Sequence, residues 1–292
     1  MTMTTSPTPP SPGKNRTWFI TGASTGFGRL LAEEVLKSGG KVIATARNLD
    51  TIAQLKEKYP DKAIPFALDV TDYAQVSSVV AQAAAVHGPV DVLVNNAGYG
   101  LAGAIEEASE EEYMPMFNTN VFGLIHVTQT FLPHFRRQGS GHILNLSSVG
   151  GLVSTPGMGF YNATKYAVEG MSEALAQELA PLGVRVTIVE PGPFRTDFLG
   201  RSGVHAANVI PEYDQTAGNM RRYFEAENGK QKGDPLRAVH AMMQVVDSPN
   251  PPLRLVLGAA ALKRVRTKID SLQKELAAWE TVTVGADFPD SE

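Results

Sequence analysis

The sequence predicts an α/β fold in which one parallel β-sheet is covered by helices on both faces. From Thr17 onward, short apolar or β-branched runs alternate with longer helical stretches, which is typical of βα units. The runs VDVLVN and VRVTIV are apolar almost throughout, as expected of strands buried on both faces. Such folds commonly use about 200 to 250 residues as one unit, so the 292 residues fit a single domain.

Seven strands fit one sheet, and each is predicted where β-branched and apolar residues form a short run bounded by turn residues. They are Thr17–Thr21, Lys41–Ala46, Ala63–Leu68, Val90–Asn95, Gly141–Leu146, Val184–Val189 and Leu253–Leu257. Helical spacing of apolar residues predicts the covering helices between and after them. They are Phe27–Ser38, Asp50–Tyr59, Asp72–His87, Ser109–Arg137, Phe160–Ala180, Asp234–Val246 and Ala259–Trp279.

Three segments depart from this alternation. Residues 1–14 are rich in Thr, Ser and Pro and are predicted to form a flexible tail. They lack the features of a secretory signal, so a cytoplasmic protein is expected. The single domain is predicted to span residues 15–292. Residues 191–232 contain Gly, Pro and Asn punctuation and no convincing strand. Connections of this length are usually lids or binding loops, or else disordered insertions. The lid is favoured because the segment has aromatic side chains to fold down: Phe194, Phe198, Tyr213, Tyr223 and Phe224.

The helix predicted over residues 259–279 has an apolar stripe at alternating spacings of three and four. The stripe consists of Leu262, Val265, Ile269, Leu272, Leu276 and Trp279. It must pack on the core of the domain or on another subunit. The basic run beside it is expected to be a solvated face: Lys263, Arg264, Arg266 and Lys268.

Composition excludes several functional classes. Lys plus Arg number 26 and Asp plus Glu number 30, a net charge of −4 that disfavours a nucleic-acid binder. No apolar run approaches the ~18 residues of a membrane span. The absence of cysteine excludes disulfides, thiolate zinc sites and cysteine nucleophiles, and the six histidines do not cluster, so no metal site is predicted.

A glycine-rich turn, TGASTGFG, follows the first strand and places Gly22, Gly26 and Gly28 between a strand and a helix. Glycine permits positive φ and a close approach of the backbone to a ligand, while the helix N-terminus offers free N–H groups to a pyrophosphate. The G-x-x-x-G-x-G spacing differs from the usual dinucleotide fingerprint, and the Gly-Lys-Ser/Thr of a triphosphate loop is absent.

The end of the second strand bears on the choice of cofactor. NAD-selective folds place an acid there to bind the ribose hydroxyls, whereas here Ala46 is neutral and Arg47 follows it. An arginine would attract the 2′-phosphate of NADP, so the sequence predicts NADP(H) rather than NAD(H), unless Arg47 is merely exposed at a strand end. Asp69, at the end of the third strand, is placed to meet the adenine or to cap a turn.

Tyr161 and Lys165 are four residues apart at the start of a helix, which puts them on one face. A neighbouring ammonium favours a phenolate, so we expect a lowered tyrosine pKa and proton exchange with an alcohol or ketone. Ser148 lies just past the strand HILNLS, at the sheet edge where ligands bind, and is preferred to Ser147 as a donor to a carbonyl oxygen. Asn120, in mid-helix, is expected to find a local partner or to hold a water.

Together these motifs resemble the short-chain dehydrogenase/reductase family, in the expected order from Thr17 to about Thr196. They are the glycine turn, the run Asn95–Gly98, Asn120, Ser148, the Tyr161 and Lys165 pair, and Pro191-Gly192 followed by Thr196. The resemblance implies a Rossmann-like three-layer domain with strand order 3-2-1-4-5-6-7. Phe27 and the Thr-Ala-Arg ending of the second strand are similar to the branch with hydroxysteroid and retinol dehydrogenases.

The resemblance also implies roles. Tyr161 would be the general acid/base, Ser148 would orient the carbonyl, Lys165 would lower the tyrosine pKa and bind the nicotinamide ribose, and Asn120 would anchor a relay water. The predicted cofactor-binding residues are Gly22, Ser24, Thr25, Gly26, Phe27, Gly28, Arg47, Asp69, Val70, Asn96, Ala97, Gly98, Tyr161, Lys165, Pro191, Gly192 and Thr196. Family members often form tetramers through their long helices, so a homodimer or homotetramer is expected.

The predicted activity is NADP(H)-dependent interconversion of a ketone or aldehyde and its alcohol, and the residues do not choose the direction. An apolar substrate is suggested by the predicted wall residues Ser148, Val149, Val153, Met158, Phe194 and Phe198, although several of these could simply pack. Two alternatives remain: a protein that senses NADP(H) without turnover, and a sugar-nucleotide epimerase or dehydratase.

Overall fold

Seven parallel strands form the central sheet in a computed structural model that describes residues 16–288, so the tail predicted over residues 1–14 lies outside the described residues. The sheet contains β1 (Thr17–Ile20), β2 (Lys41–Ala46), β3 (Ala63–Ala67), β4 (Val92–Asn95), β6 (Gly141–Leu146), β7 (Val184–Pro191) and β9 (Arg254–Leu257). Two three-residue strands, β5 (Gly100–Ala102) and β8 (Gly203–His205), pair with each other outside it.

The strand order is β3-β2-β1-β4-β6-β7-β9, which is 3-2-1-4-5-6-7 when only the strands of this sheet are counted. The predicted order is therefore confirmed. The order reverses between β1 and β4, so the carboxyl ends of these two strands diverge and leave a crevice at that edge. Residues Trp18, Phe19 and Ile20 of β1, the central strand, are fully buried, which explains its apolar sequence.

Helices cover both faces of the sheet. They are α1 (Gly26–Lys37), α2 (Asp50–Lys58), α3 (Tyr73–His87), α4 (Glu110–Phe117), α5 (Leu124–Gln138), α6 (Gly159–Leu179), α7 (Asn219–Glu227), α8 (Pro235–Asp247) and α9 (Ala259–Val284). Leu31 of α1, Ile52 of α2 and Met242 of α8 belong to the core on one face. Val80 of α3 and Phe131 of α5 belong to the core on the other, so the domain has three layers.

The long helix predicted over Ser109–Arg137 is not one regular helix. A π-helical turn, Asn118–Gly123, separates α4 from α5. Apolar spacing does not distinguish this wider turn from an α-helix. π-turns frequently mark functional sites, and this one contains Asn120.

Residues 191–232 are ordered into short elements, and the expectation that they contain no strand is wrong. β8 pairs in parallel with β5 over three residues, which is too short to give a periodic signal and depends on a partner about a hundred residues away. Turns of 3-10 and π type lead from β8 to α7, which follows at Asn219.

The last helix is five residues longer than predicted, and Ala261 is the one buried residue of α9, every residue of which is described. Its apolar stripe therefore does not pack on the core of its own chain. Among residues 16–288, no helix combines the length and the apolar character needed to cross a membrane.

Candidate active site

A cavity of about 1030 Å³ opens at the carboxyl edge of the sheet, where the strand order reverses. Its walls include the glycine turn, the ends of β2, β3, β4, β6 and β7, the start of α6 and the segment after Pro191. Of the predicted site residues, Gly28, Asn120 and Val153 do not line it, and all the others do. The sequence motifs therefore converge on one site.

The glycine turn leaves an open helix N-terminus on the cavity wall. Thr25 is the N-cap of α1 but makes no side-chain capping bond, so the first N–H groups of the helix are not capped by it. A Cβ on Gly28 would lie 2.4 Å from Asn96 Nδ2 and 2.5 Å from Gly22 O. Gly28 thus permits the turn to fold against Asn96, while the turn ahead of it faces the cavity.

Arg47 and Asp69 stand at the far end of the cavity. Arg47 is exposed at the end of β2, and none of the ion pairs between described residues includes it. Asp69 Oδ1 accepts hydrogen bonds from Thr71 N at 2.9 Å and Thr71 Oγ1 at 2.7 Å. The turn-capping interpretation of Asp69 is therefore observed, and its position on the wall is also compatible with a ligand.

Tyr161 and Lys165 lie on one face of α6, as their spacing predicts. Both side chains are buried, at 8% and 6% exposure, and the Lys165 ammonium is 5.8 Å from the Tyr161 ring centroid. Lys165 Nζ donates to the carbonyl oxygen of Leu146 at 2.7 Å, which ties the start of α6 to the end of β6.

The expected lowering of the Tyr161 pKa is wrong for the protein alone. Burial raises the pKa of Tyr161 to about 12, and a hydrogen bond with Ser148 only partly opposes this. The ammonium lies near the ring and is committed to Leu146, so desolvation of the phenolate dominates. Burial lowers the pKa of Lys165 to about 8, and the nearby Glu169 carboxylate opposes that shift. At neutral pH the site therefore holds a protonated phenol.

Ser148 is fixed beside Tyr161 at the end of β6. Its Oγ accepts from Gly150 N at 3.0 Å and donates to Pro191 O at 3.5 Å, and its hydroxyl lies near enough to the Tyr161 side chain to oppose the rise in the pKa of that phenol. The structure thus favours Ser148 over Ser147 as the partner of the tyrosine.

Asn120 finds partners within the protein, one of the two outcomes expected for it. Its Nδ2 donates to Tyr99 O at 2.8 Å and to Thr164 Oγ1 at 3.1 Å, while its Oδ1 accepts from Tyr99 N at 3.0 Å. These bonds join the π-turn, the segment after β4 and α6. Both amide protons are used, so the side chain holds the wall in place.

The other half of the cavity is apolar. Residues from the segment after Pro191 form its outer wall: Phe198, Leu199, Val204, Met220, Tyr223 and Phe224. The Phe198 ring lies 5.3 Å from the Tyr161 ring, and Met158 completes the wall from the start of α6. Val153, predicted here, is absent from the wall because its stretch turns toward α9, where its carbonyl accepts from Arg264. Arg264 itself reaches the cavity.

A buried ion pair holds this outer wall on the domain. The fully buried Glu107 carboxylate accepts from Arg221 Nη2 in α7, from Ile210 N at 2.8 Å and from Ala104 N at 2.7 Å. Burial alone would raise the pKa of Glu107, but these donors lower it overall. Sequence reasoning did not single out Glu107 or Arg221, because a glutamate in an acidic run carries no signal of its partner.

Gln231 is a second residue that sequence reasoning missed. It is 3% exposed and lines the cavity, and neither atom of its side-chain amide has a hydrogen-bond partner in the protein. A buried amide without partners is unfavourable, so these atoms are available to a ligand or to water. It lies close to Phe194, since Arg195 Nε donates to Gln231 O and Phe194 pairs with Gly233.

A cluster of buried charges lies behind Lys165. Arg254 Nε lies 3.3 Å from Glu169 Oε2 and 3.5 Å from Glu190 Oε1. Burial raises the pKa of both carboxyls, that of Glu190 to about 8, and their mutual repulsion adds to the rise for Glu190. The sequence signal for this cluster is Glu190, a charged residue near the end of the largely apolar run VRVTIVEP. No group of three or more His, Asp or Glu side chains placed to bind a metal occurs within residues 16–288.

Known proteins resemble this chain in sequence and in structure. The family described as short chain dehydrogenase matches residues 16–205. A short-chain dehydrogenase from Streptomyces avermitilis is similar in structure, with a TM-score of 0.87, 42% identity, and coverage of 93% of this chain and 100% of that one. The 3-ketodihydrosphingosine reductase of Bacteroides thetaiotaomicron is 37% identical over 241 residues, 82% of this chain and 87% of that one.

Two less similar structures contain nicotinamide cofactors. A short chain dehydrogenase/reductase from Burkholderia phymatum in complex with NAD has a TM-score of 0.79 and 26% identity, covering 90% of this chain and 96% of that one. A serine dehydrogenase complexed with NADP+ has a TM-score of 0.71 and 29% identity, covering 82% and 94%. Related structures thus bind either dinucleotide.

Proposed function

The chain belongs to the short-chain dehydrogenase family, and we propose on that basis that it is an NADP(H)-dependent oxidoreductase that reduces a ketone or aldehyde carried on an apolar body. The observation that carries this proposal is the placement of Tyr161, Ser148 and Lys165 on one wall of a cavity that also contains an open helix N-terminus. Members of the family are oxidoreductases. The preference for NADP(H) and the apolar ketone or aldehyde substrate are proposed for this chain.

The cavity fits a dinucleotide in three respects. The uncapped N-terminus of α1 suits a pyrophosphate, the unpartnered Gln231 amide offers a donor and an acceptor, and Arg47 suits a 2′-phosphate at the end of β2. Gly22, Ser24, Thr25, Gly26 and Phe27 would hold the phosphates, and Lys165 would hold the ribose near the reacting end. A bound reduced nicotinamide would supply the hydride.

The residues of the chain supply the proton and the orientation. Ser148 would donate a hydrogen bond to the substrate carbonyl oxygen, and Tyr161 would give its proton to the same oxygen as negative charge develops. Because burial raises the Tyr161 pKa to about 12, the phenol is protonated at neutral pH and suited to the reductive direction. The Lys165 ammonium would stabilise the phenolate left behind.

The apolar outer wall supports the substrate class. Met158, Phe198 and Phe224 belong to one cluster with Tyr161, so a substrate reaching the tyrosine would pass over apolar side chains. The related protein from Bacteroides thetaiotaomicron is a 3-ketodihydrosphingosine reductase, and reduction of a ketone by a relative agrees with the reaction proposed here.

The test is a panel of aliphatic and aromatic ketones and aldehydes, followed by NADPH absorbance, with the wild type and Tyr161→Phe. The variant should lose about 10²- to 10⁴-fold in kcat, because it lacks the proton donor, while its Kd for NADPH stays unchanged. Near wild-type turnover in Tyr161→Phe would contradict the role of the tyrosine. No oxidation with any compound, together with tight NADPH binding, would favour a sensor.

Cofactor preference has a separate test. Arg47→Ala should weaken NADPH binding roughly tenfold or more, as expected for the loss of a charge-assisted hydrogen bond, and leave NADH binding unchanged. Equal effects on the two dinucleotides would show that Arg47 does not bind the 2′-phosphate.

A further inference from the structure

Helix α9 presents an apolar face that its own chain does not cover. Leu262, Ile269, Leu272, Leu276 and Trp279 are 42%, 50%, 47%, 59% and 64% exposed. The helix spans 26 residues, or about 39 Å at a rise of 1.5 Å per residue. A continuous apolar stripe of this length on the surface of a protein marks an interaction site.

The stripe has the spacing of a coiled-coil seam. Leu262, Ile269 and Leu276 recur every seven residues, and Val265, Leu272 and Trp279 recur every seven residues between them. These are the a and d positions of three consecutive heptads, which favours packing against another helix of the same repeat rather than against a flat surface.

The charges of α9 identify the partner and its direction. The first half carries Lys263, Arg264, Arg266 and Lys268 against a single Asp270, and the second half carries Glu275 and Glu280 against a single Lys274. Two parallel copies would bring the basic halves together, whereas two antiparallel copies would place each basic half against an acidic half. We propose that α9 pairs in antiparallel orientation with α9 of a second copy of this chain.

One register of the two antiparallel helices pairs every residue of the apolar stripe. With Leu262 opposite the second copy's Trp279, Val265 lies opposite its Leu276 and Ile269 opposite its Leu272, and the two-fold axis repeats every pair. All six stripe residues are then covered. In the same register, Ala259 of one copy lies level with Val282 of the other, so the two helices overlap over nearly their full length.

The flanking charges agree with this register. Lys268 and Glu275 both occupy g positions, which flank the same side of the seam, so Lys268 of one copy lies beside Glu275 of the other, twice by symmetry. Neither residue forms an ion pair within residues 16–288; Glu275 accepts a hydrogen bond from Ser271. This interface is distinct from the long helices through which the family commonly assembles, and it does not depend on the proposed function.

Mass measured by sedimentation and by light scattering tests the seam. Leu272→Glu places a carboxylate in the central layer and should halve the mass of the assembly, whether dimer to monomer or tetramer to dimer. Thr267→Glu is the matched control, because Thr267 is an exposed f position on the opposite side of the helix, and it should leave the mass unchanged. An unchanged mass in Leu272→Glu, or an equal loss in both variants, would overturn the proposal.

Charge reversal and cross-linking test the direction. Lys268→Glu or Glu275→Lys alone should raise the Kd of the assembly roughly tenfold, and the double variant should restore it.

Because the chain contains no cysteine, Leu262→Cys/Trp279→Cys should form a disulfide between copies, whereas Leu262→Cys alone should not. Efficient cross-linking of the single variant would show a parallel pair. A monomeric wild type that binds vesicles of phosphatidylcholine and phosphatidylglycerol would show a lipid surface instead. Either result would refute the antiparallel pair.

Discussion

The outer wall of the cavity depends on one buried charge, and Glu107→Gln tests that dependence. The Glu107 carboxylate is fully buried and joins three parts of the chain through Arg221, Ile210 and Ala104. Glutamine keeps the size of the side chain and one acceptor oxygen but removes the charge. It leaves the Arg221 guanidinium, which is 17% exposed, without a counter-ion.

Breaking a buried ion pair by removing one partner costs about 3 to 5 kcal/mol. Glu107 holds residues 203–227 on the domain, and the central sheet does not include them, so most of this cost should fall on local opening of the segment. At about 1.4 kcal/mol per factor of ten, the lower figure corresponds to roughly a hundredfold increase in the open population. The unfolding of the sheet and its two core layers should change much less.

Limited trypsin digestion measures this opening, since residues 203–227 contain the cleavage sites Arg221 and Arg222. Cleavage within it should accelerate roughly a hundredfold when opening is fast relative to cleavage. Glu106→Gln is the control, because Glu106 accepts from the Tyr213 hydroxyl at an exposed position and should have a small effect. Equal cleavage rates in the wild type and Glu107→Gln would refute the reasoning, as would a fall in Tm with no local change.

Three further results are expected. Reductase activity should fall as the pH rises through about 8, where Lys165 loses its charge, and a pH–rate profile of Lys165→Arg should move that fall to higher pH. Gly28→Ala should abolish NADPH binding or folding, because its Cβ would lie 2.4 Å from Asn96 Nδ2. Gly170→Ala, whose Cβ would meet nothing within 4 Å in mid-helix, should instead raise the free energy of unfolding by about 0.5 to 1 kcal/mol in thermal denaturation. Gln231→Leu should raise the Kd for NADPH about fivefold in a fluorescence titration without lowering Tm, and an unchanged Kd would show that the buried amide binds water instead.

The sheet and the catalytic wall follow from local sequence. β1 and β4 are fully buried, so each is predictable from its own composition, and the glycine turn and the Tyr161 and Lys165 pair follow from short spacings. The carboxyl ends of parallel strands lie at one edge of the sheet, so motifs separated by more than a hundred residues meet there, and the strand prediction alone is enough to expect this.

The outer wall could not be predicted in this way. β8 exists because β5 is beside it, and Glu107 is buried because residues a hundred positions away fold over it. The same is true of the Tyr161 pKa: spacing indicates that an ammonium is near, but the direction of the shift depends on how completely the phenol is buried and on which group the ammonium bonds. Local patterns do not contain either quantity.

Local sequence patterns and contacts between distant residues therefore determine different parts of the site. Ser148, Tyr161 and Lys165 are held by β6 and α6, whose positions depend on the apolar core, so the proton-transfer geometry depends less on the segment after Pro191, which contacts Tyr161 through Phe198. That segment is held by polar and charged contacts to Glu107, by a three-residue strand, and by the apolar cluster around Phe224. Substitutions in it can change the apolar wall at a local cost while the catalytic wall stays intact. Substrate selection should therefore be altered far more readily at Phe198 or Phe224 than at any residue of β6 or α6.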